Sequence, residues 1–186
     1  FYTKDKENNF INFSGCGNTL NCNHKVVKDM IIQSLLYWYL EVGVDGFRFD
    51  LAPVLGRDSN SQWARHSLLH ELVEHPILSH AKLIAESWDL GGYFVGAMPS
   101  GWCEWNGAYR DTVRQFIRGD FGQVPELIKR IFGSVDIFHA NKNGYQSSIN
   151  FICCHDGFTM WDLVCYNLKH NLLNGENNQD GENNNH

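Results

Sequence analysis

Two residue periodicities alternate along this chain, and that alternation limits the folds open to it. Val27, Met30, Ile31, Leu35, Trp38 and Tyr39 recur at three- and four-residue spacing up to Gly43, which predicts an amphipathic helix. The next eight residues, Val44 to Leu51, alternate large apolar side chains with charged ones, as the two faces of a strand do. A second helix is expected from Ser61 to Glu74, on Trp63, Leu68, Leu69, Leu72 and Val73, ending before Pro76. Lys82 to Glu86 reads as a second short strand. Further helices are expected over Asn106 to Arg118, Val124 to Phe132 and Phe158 to Leu168, with a weak strand over Val135 to His139 and a stronger one over Ser148 to Cys154. Residues 1–25 and 174–186, rich in Asn and Gly, read as loops. Strands alternating with helices make a parallel sheet with helical crossovers, so the expected class is α/β.

Composition bounds the partners. With 43% apolar residues in 186, the chain has the makings of one domain's core. A net charge of −6 and a pI near 5.8 offer no basic surface to a phosphate backbone or an anionic leaflet. The most apolar run, Met30 to Val44, is broken by Gln33, Ser34 and Glu41 and falls short of a bilayer of roughly 30 Å. Neither nucleic acid nor membrane is therefore an expected partner. The chain starts at Phe1 without a basic start or apolar centre, and reads as an internal piece. Of the six cysteines, Cys153 and Cys154 are adjacent in a strand-like run. Buried free thiols are the expectation, and with them a reducing compartment, the cytoplasm.

Three carboxylates stand at the C-terminal ends of expected strands: Asp50, Glu86 and Asp156. That rim is where β/α barrels place their active sites. Asp50 and Glu86 are 36 residues apart, and Glu86 and Asp156 are 70 apart. At roughly 30 residues per strand-helix unit, these gaps are one unit and two. The intervening unit would hold the weak strand near Asp136. Residues two apart on a strand share a face, so Arg48 and Asp50 point together while Phe47 and Phe49 point away. An Arg beside a carboxylate keeps it ionised, as a nucleophile requires. Leu83, Ile84 and Ala85 give Glu86 an apolar flank suited to a protonated acid. One charged and one neutral carboxyl is the pair that glycoside cleavage uses. Each has a plain structural use by itself: a strand-end ion pair, a helix cap, a turn. Their joint spacing is what points to chemistry.

On these residues the sequence resembles the α-amylase superfamily, and within it the isoamylase-type debranching enzymes of glycogen and starch. Gly46-Phe47-Arg48-Phe49-Asp50 is similar to the family's fourth-strand segment, Ala85-Glu86-Ser87-Trp88-Asp89 to its fifth, and Phe151 through His155-Asp156-Gly157 to its seventh. Asn12 to Thr19, Trp102 to Gly107 and His170 to Glu176 resemble the debranching subgroup. The resemblance implies part of a (β/α)8 TIM barrel, strands four to seven, over residues 1–186 and truncated at both ends. It implies Asp50 as nucleophile, Glu86 as acid and base, Asp156 as transition-state stabiliser, and Arg48, His155, Trp88 and Asp89 as contacts to an α-glucan such as glycogen, amylopectin or limit dextrin. The reaction implied is retaining hydrolysis of α-1,6 branch linkages without cofactor or metal. The family's third-strand segment is absent upstream of Phe1, so the 186 residues alone are expected to be inactive.

Other readings stay open. Relatives with the same carboxylates transfer glucan chains rather than hydrolyse them, and a non-catalytic glucan-binding protein is conceivable without the third-strand segment. Trp88, Trp102 and Trp105 could stack on sugar rings or fill a core. Glu176 to Gly181 departs from a calcium loop at its first position, and Cys16, Cys22 and His24 lack a second ligand pair for zinc. Plastidial or secreted placement also stays open, because targeting is read from a terminus that is not in view.

Overall fold

The computed structural model describes every residue except Ser59, Ser61, Arg65, Lys142 and His186, so the expected start of the second helix at Ser61 lies outside the described residues. In chain order the elements are α1 (Lys25–Tyr37), β1 (Gly46–Phe49), α2 (Pro53–Gly56), α3 (Leu68–Glu74), β2 (Lys82–Ala85), β3 (Trp88–Asp89), β4 (Gly92–Tyr93), β5 (Cys103–Trp105), α4 (Gly107–Arg118), α5 (Val124–Ile131), α6 (Val135–Phe138), β6 (Ser148–Ile149) and α7 (Met160–Cys165). They fall into two compact units, one of residues 1–105 with 137–148, the other of 106–136 with 149–186. Among the described residues no helix is long and apolar enough to cross a membrane.

The first unit holds a parallel sheet in the order β1-β2-β5, to which β6 adds its Ser148 end. The α/β class is as expected. Helix α1 runs as its periodicity predicts and widens into a π turn over Trp38–Val42, which Gly43 closes in a left-handed conformation at φ 81°. Strand β1 then pairs with β2 in register, Gly46 opposite Lys82 and Phe49 opposite Ala85. Gly46 is required there, because a Cβ would fall against the Lys82 carbonyl. Helix α3 begins at Leu68, not near residue 61: Ser67 and His70 form a capping box, and Trp63 is drawn into a bridge with Arg57 upstream.

Leu68, Leu69, Leu72, Leu83, Ala85 and Trp102 form the core of this unit, and Phe49 meets Trp102 edge-on at 5.0 Å. The Trp102 indole donates to the Leu69 carbonyl at 2.9 Å, so this tryptophan is core and not a sugar platform. Trp102→Ala is expected to destabilise the fold by about 3–5 kcal/mol, read as a fall in the denaturation midpoint of the full-length protein.

Two strand expectations need correction. The weak strand near Asp136 is instead the helical turn α6, and the strand that follows β2 in the sheet is β5. The strand expected from Ser148 to Cys154 shortens to β6. Beyond it the Ile152 carbonyl accepts from the Arg114 guanidinium, Nε at 2.9 Å, in place of a ladder partner.

In the second unit, Asn106 caps α4 by accepting from the Tyr109 amide, and Gly119 ends the helix with φ 89°. Helix α5 opens with Pro125 in its first turn and packs against α4. Thr159 caps α7, which is shorter than the Phe158 to Leu168 span expected.

All six cysteines are free. Only Cys22 is buried, and burial pushes its thiol up to about 12. Cys16 and Cys165 are exposed, so the expectation of buried thiols holds for one position and not for the set.

Candidate active site

Strand alternation in β1 sends Phe47 and Phe49 to the core and Arg48 to the other face, together with Asp50 just past the strand end. Arg48 is the centre of the cluster. Its Nη1 lies 2.5 Å from Asp50 Oδ1 and its Nη2 3.0 Å from Glu86 Oε1, while the guanidinium lies 4.2 Å from the centre of the Trp105 ring. One cation therefore stands between two carboxylates with an aromatic face beneath it. The Asp50 and Glu86 carboxylate oxygens come within 4.8 Å of each other.

The two acids differ in exposure. The Asp50 side chain is 61% exposed, whereas the Glu86 side chain is 1% exposed. Glu86 is also not set in hydrocarbon. Its Oε2 accepts from the Leu51 amide at 2.8 Å, so its oxygens face a cation and a backbone N–H. Leu51 can present that amide because it adopts φ 43°, a left-handed conformation uncommon for a residue with a Cβ. The backbone of Glu86 is held as well: its N–H donates to the Phe49 carbonyl at 3.0 Å and its carbonyl accepts from Ala52 at 2.9 Å.

Trp88 and Asp89, both assigned to the sugar from sequence, separate onto opposite faces of β3. Trp88 is half-buried and stacks on exposed Tyr93 of the β3–β4 hairpin, at 5.9 Å and 7°. Asp89 is turned inward, which corrects its expected role: its side chain is fully buried, its oxygens accept from Arg57 Nε and Nη2, both at 2.8 Å, and Gly91 donates to it at 2.7 Å. Arg57 in turn lies 3.8 Å over the Phe13 ring. Asp89 is thus a strut that ties the hairpin to the N-terminal loop, with no oxygen open to a ligand.

In the second unit His155 and Asp156 lie on an exposed bend, Nε2 3.3 Å from Oδ1, side chains 52% and 57% exposed. The strand ends well before them, so adjacency does not force them to opposite sides. Cys154, His155 and Asp156 offer ligand atoms within 4.8 Å of one another. As three consecutive residues on one turn, their proximity comes from sequence and does not by itself mark a metal site.

Sequence reasoning gave no role to Glu104. It is fully buried on β5, and its Oε2 accepts from the Gly96 amide at 2.8 Å. Burial pushes its carboxyl above the ordinary range, against the nearby Ser87 hydroxyl and the Gly96 and Met98 amides, which pull it down. The signal was present in Trp102-Cys103-Glu104-Trp105, where a charge sits among large apolar residues.

No protein-family model matches the chain. It is 49% identical over 191 residues to isoamylase 3, chloroplastic, of Oryza sativa subsp. japonica, covering all of this chain and 24% of that protein. It is 50% identical over 173 residues to the glycogen operon protein GlgX homolog of Mycobacterium tuberculosis, covering 91% of this chain and 24% of the relative. Among solved structures it is similar to the pullulanase of Anoxybacillus sp. LM18-11 complexed with maltotriose, at 27% identity and a TM-score of 0.67 over 87% of this chain and 24% of that one. The chain spans about a quarter of the length of these relatives.

Proposed function

Because this chain belongs to the isoamylase-type branch of the α-amylase superfamily, we propose that it carries the catalytic carboxylates of a glycoside hydrolase that opens α-1,6 branch linkages in glycogen or a related α-glucan with retention of configuration. The observation that carries the reading is the meeting of Asp50 and Glu86 within 4.8 Å around Arg48 at adjacent strand ends. Retaining enzymes hold their two carboxyl groups about 5–5.5 Å apart, and inverting ones about 6.5–9.5 Å apart to admit a water.

In the first step Asp50, the accessible carboxylate, attacks the anomeric carbon. The bond to the branch oxygen breaks as Glu86 gives that oxygen its proton, leaving a β-glycosyl ester on Asp50. In the second step Glu86 takes a proton from water, the water oxygen attacks the same carbon, and Asp50 departs as carboxylate. Inversion twice restores the α configuration. Arg48 pairs with the Asp50 carboxylate before it attacks and as it departs, and Asp156 offsets the oxocarbenium-like charge. His155 and Trp88 contact the sugar, while Asp89 acts through Arg57 on the hairpin that carries Trp88. The six free thiols favour a reducing compartment, cytosol or plastid. The part of the barrel outside residues 1–186 completes the site, so the activity is that of the full-length protein.

The test is incubation of the full-length protein with glycogen or amylopectin without an acceptor. Release of new reducing ends, with linear α-1,4 chains as products, is the expected result. Chain redistribution at constant reducing-end count would place the protein among transferases instead.

A further inference from the structure

Glu104 is misplaced by any ordinary rule of burial. Its Cα pairs with Ala85 in the parallel register of β2 and β5, so its side chain leaves the sheet on the side of Ala85 and the core leucines. Arg48, Glu86 and Trp105 belong to the opposite side. A carboxyl group has thus been put behind the site, on the apolar face, where burial is costly unless the group holds something.

What it holds is specific. Its Oε2 accepts from the Gly96 amide at 2.8 Å, and the Ser87 hydroxyl and the Met98 amide lie close enough to favour its charged form. Ser87 Oγ and Glu104 Oε1, neighbours on this side of the sheet, are both sealed from solvent, and neither completes a hydrogen bond among the described residues. Ser87 directly follows Glu86, and its carbonyl accepts from Phe94 at 2.7 Å. The Glu104 carboxyl and the Ser87 carbonyl thus both hold the segment of residues 94–98 that follows the β3–β4 hairpin, with the Ser87 hydroxyl packed beside the same carboxyl.

We propose that Glu104 is a positioning residue for Glu86: through Ser87 it fixes, from the core side of the sheet, the direction in which Glu86 delivers its proton. The proposal rests on Glu86 being the acid. A general acid contributes about 10²–10⁴-fold and needs hydrogen-bond reach to the leaving oxygen, and a misplacement of about 1 Å can cost about 10²-fold. Loosening Ser87 should hurt proton delivery while leaving attack by Asp50 intact.

The discriminating substrate is one whose leaving group needs no proton. Full-length Glu104→Ala, Glu104→Gln and Ser87→Ala variants are assayed on a branched α-glucan and on an α-maltotriosyl fluoride, the latter with azide so that the second step needs no base. Expected for Glu104→Ala is a fall in kcat of about 10- to 100-fold on the glucan but less than about threefold on the fluoride. Ser87→Ala shows the same selectivity with a smaller loss, and Glu104→Gln, which retains an acceptor for Gly96, restores glucan turnover. Equal losses on both substrates, or none on the glucan, overturn the proposal. If Glu104→Ala does not fold, Ser87→Ala decides by the same criterion. Glu86→Ala is the control. If it keeps its glucan activity, the assignment of the acid has failed and the positioning claim falls with it; if it is inactive and the Glu104 variants are unselective, only the positioning claim falls.

Discussion

Replacing Asp50 by Asn in the full-length protein is expected to lower kcat on a branched α-glucan by at least about 10⁴-fold, with almost no change in stability. Asn keeps the shape of the side chain and lacks the anionic oxygen that must form the ester. The small stability cost comes from exposure: at 61% exposed, the Asp50 partnership with Arg48 contributes about 0–1 kcal/mol. Arg48 retains Glu86 and the Trp105 ring when Asp50 is gone. Reducing-end assays and thermal melts check both halves. Turnover within about tenfold of wild type, about 1.4 kcal/mol of barrier, would remove Asp50 from the chemistry.

Glu86→Ala should behave differently on both axes. Glucan turnover is expected to fall about 10²–10⁴-fold, and the fold should lose about 1–3 kcal/mol. The Leu51 amide loses its acceptor, and the inner side of Arg48 loses its counter-charge. With an activated glycosyl fluoride and azide, the variant should regain turnover and make the α-glycosyl azide, because azide then intercepts a β-linked ester on Asp50. NMR of the product reads the outcome. A β-azide from this variant would mean that the ester forms elsewhere and that the roles are exchanged.

The residues on which these predictions rest differ in how far the chain announces them. Helix α1 and strands β1 and β2 are legible because each carries its own period over several residues, and those strands put Asp50 and Glu86 in place. Strand β5 is not. Its three residues, Cys103 to Trp105, are too few to hold a period, and their strand identity comes from pairing with Ile84 and Ala85. Val135 to His139 alternates like a strand and forms a helical turn, so a weak local preference lost to context. Asp89 is a different kind of miss. Alternation along β3 already separates it from Trp88, and following that rule would have sent it inward, to Arg57. The left-handed Leu51 leaves no trace in the residue type, yet it aims the amide that Glu86 receives. Elements with their own periodicity can be read from sequence; the contacts that orient the site depend on partners distant in the chain.

In the proposed mechanism Asp50 is the group that becomes covalently glycosylated. A 5-fluoro-α-glucosyl fluoride, which slows the second step more than the first, should accumulate the ester on the full-length protein. Peptide mapping by mass spectrometry then locates the added mass. The added mass is expected on the peptide that contains Asp50 and is lost in Asp50→Asn; a label on Glu86 or Asp156 would mean that another carboxylate is the nucleophile.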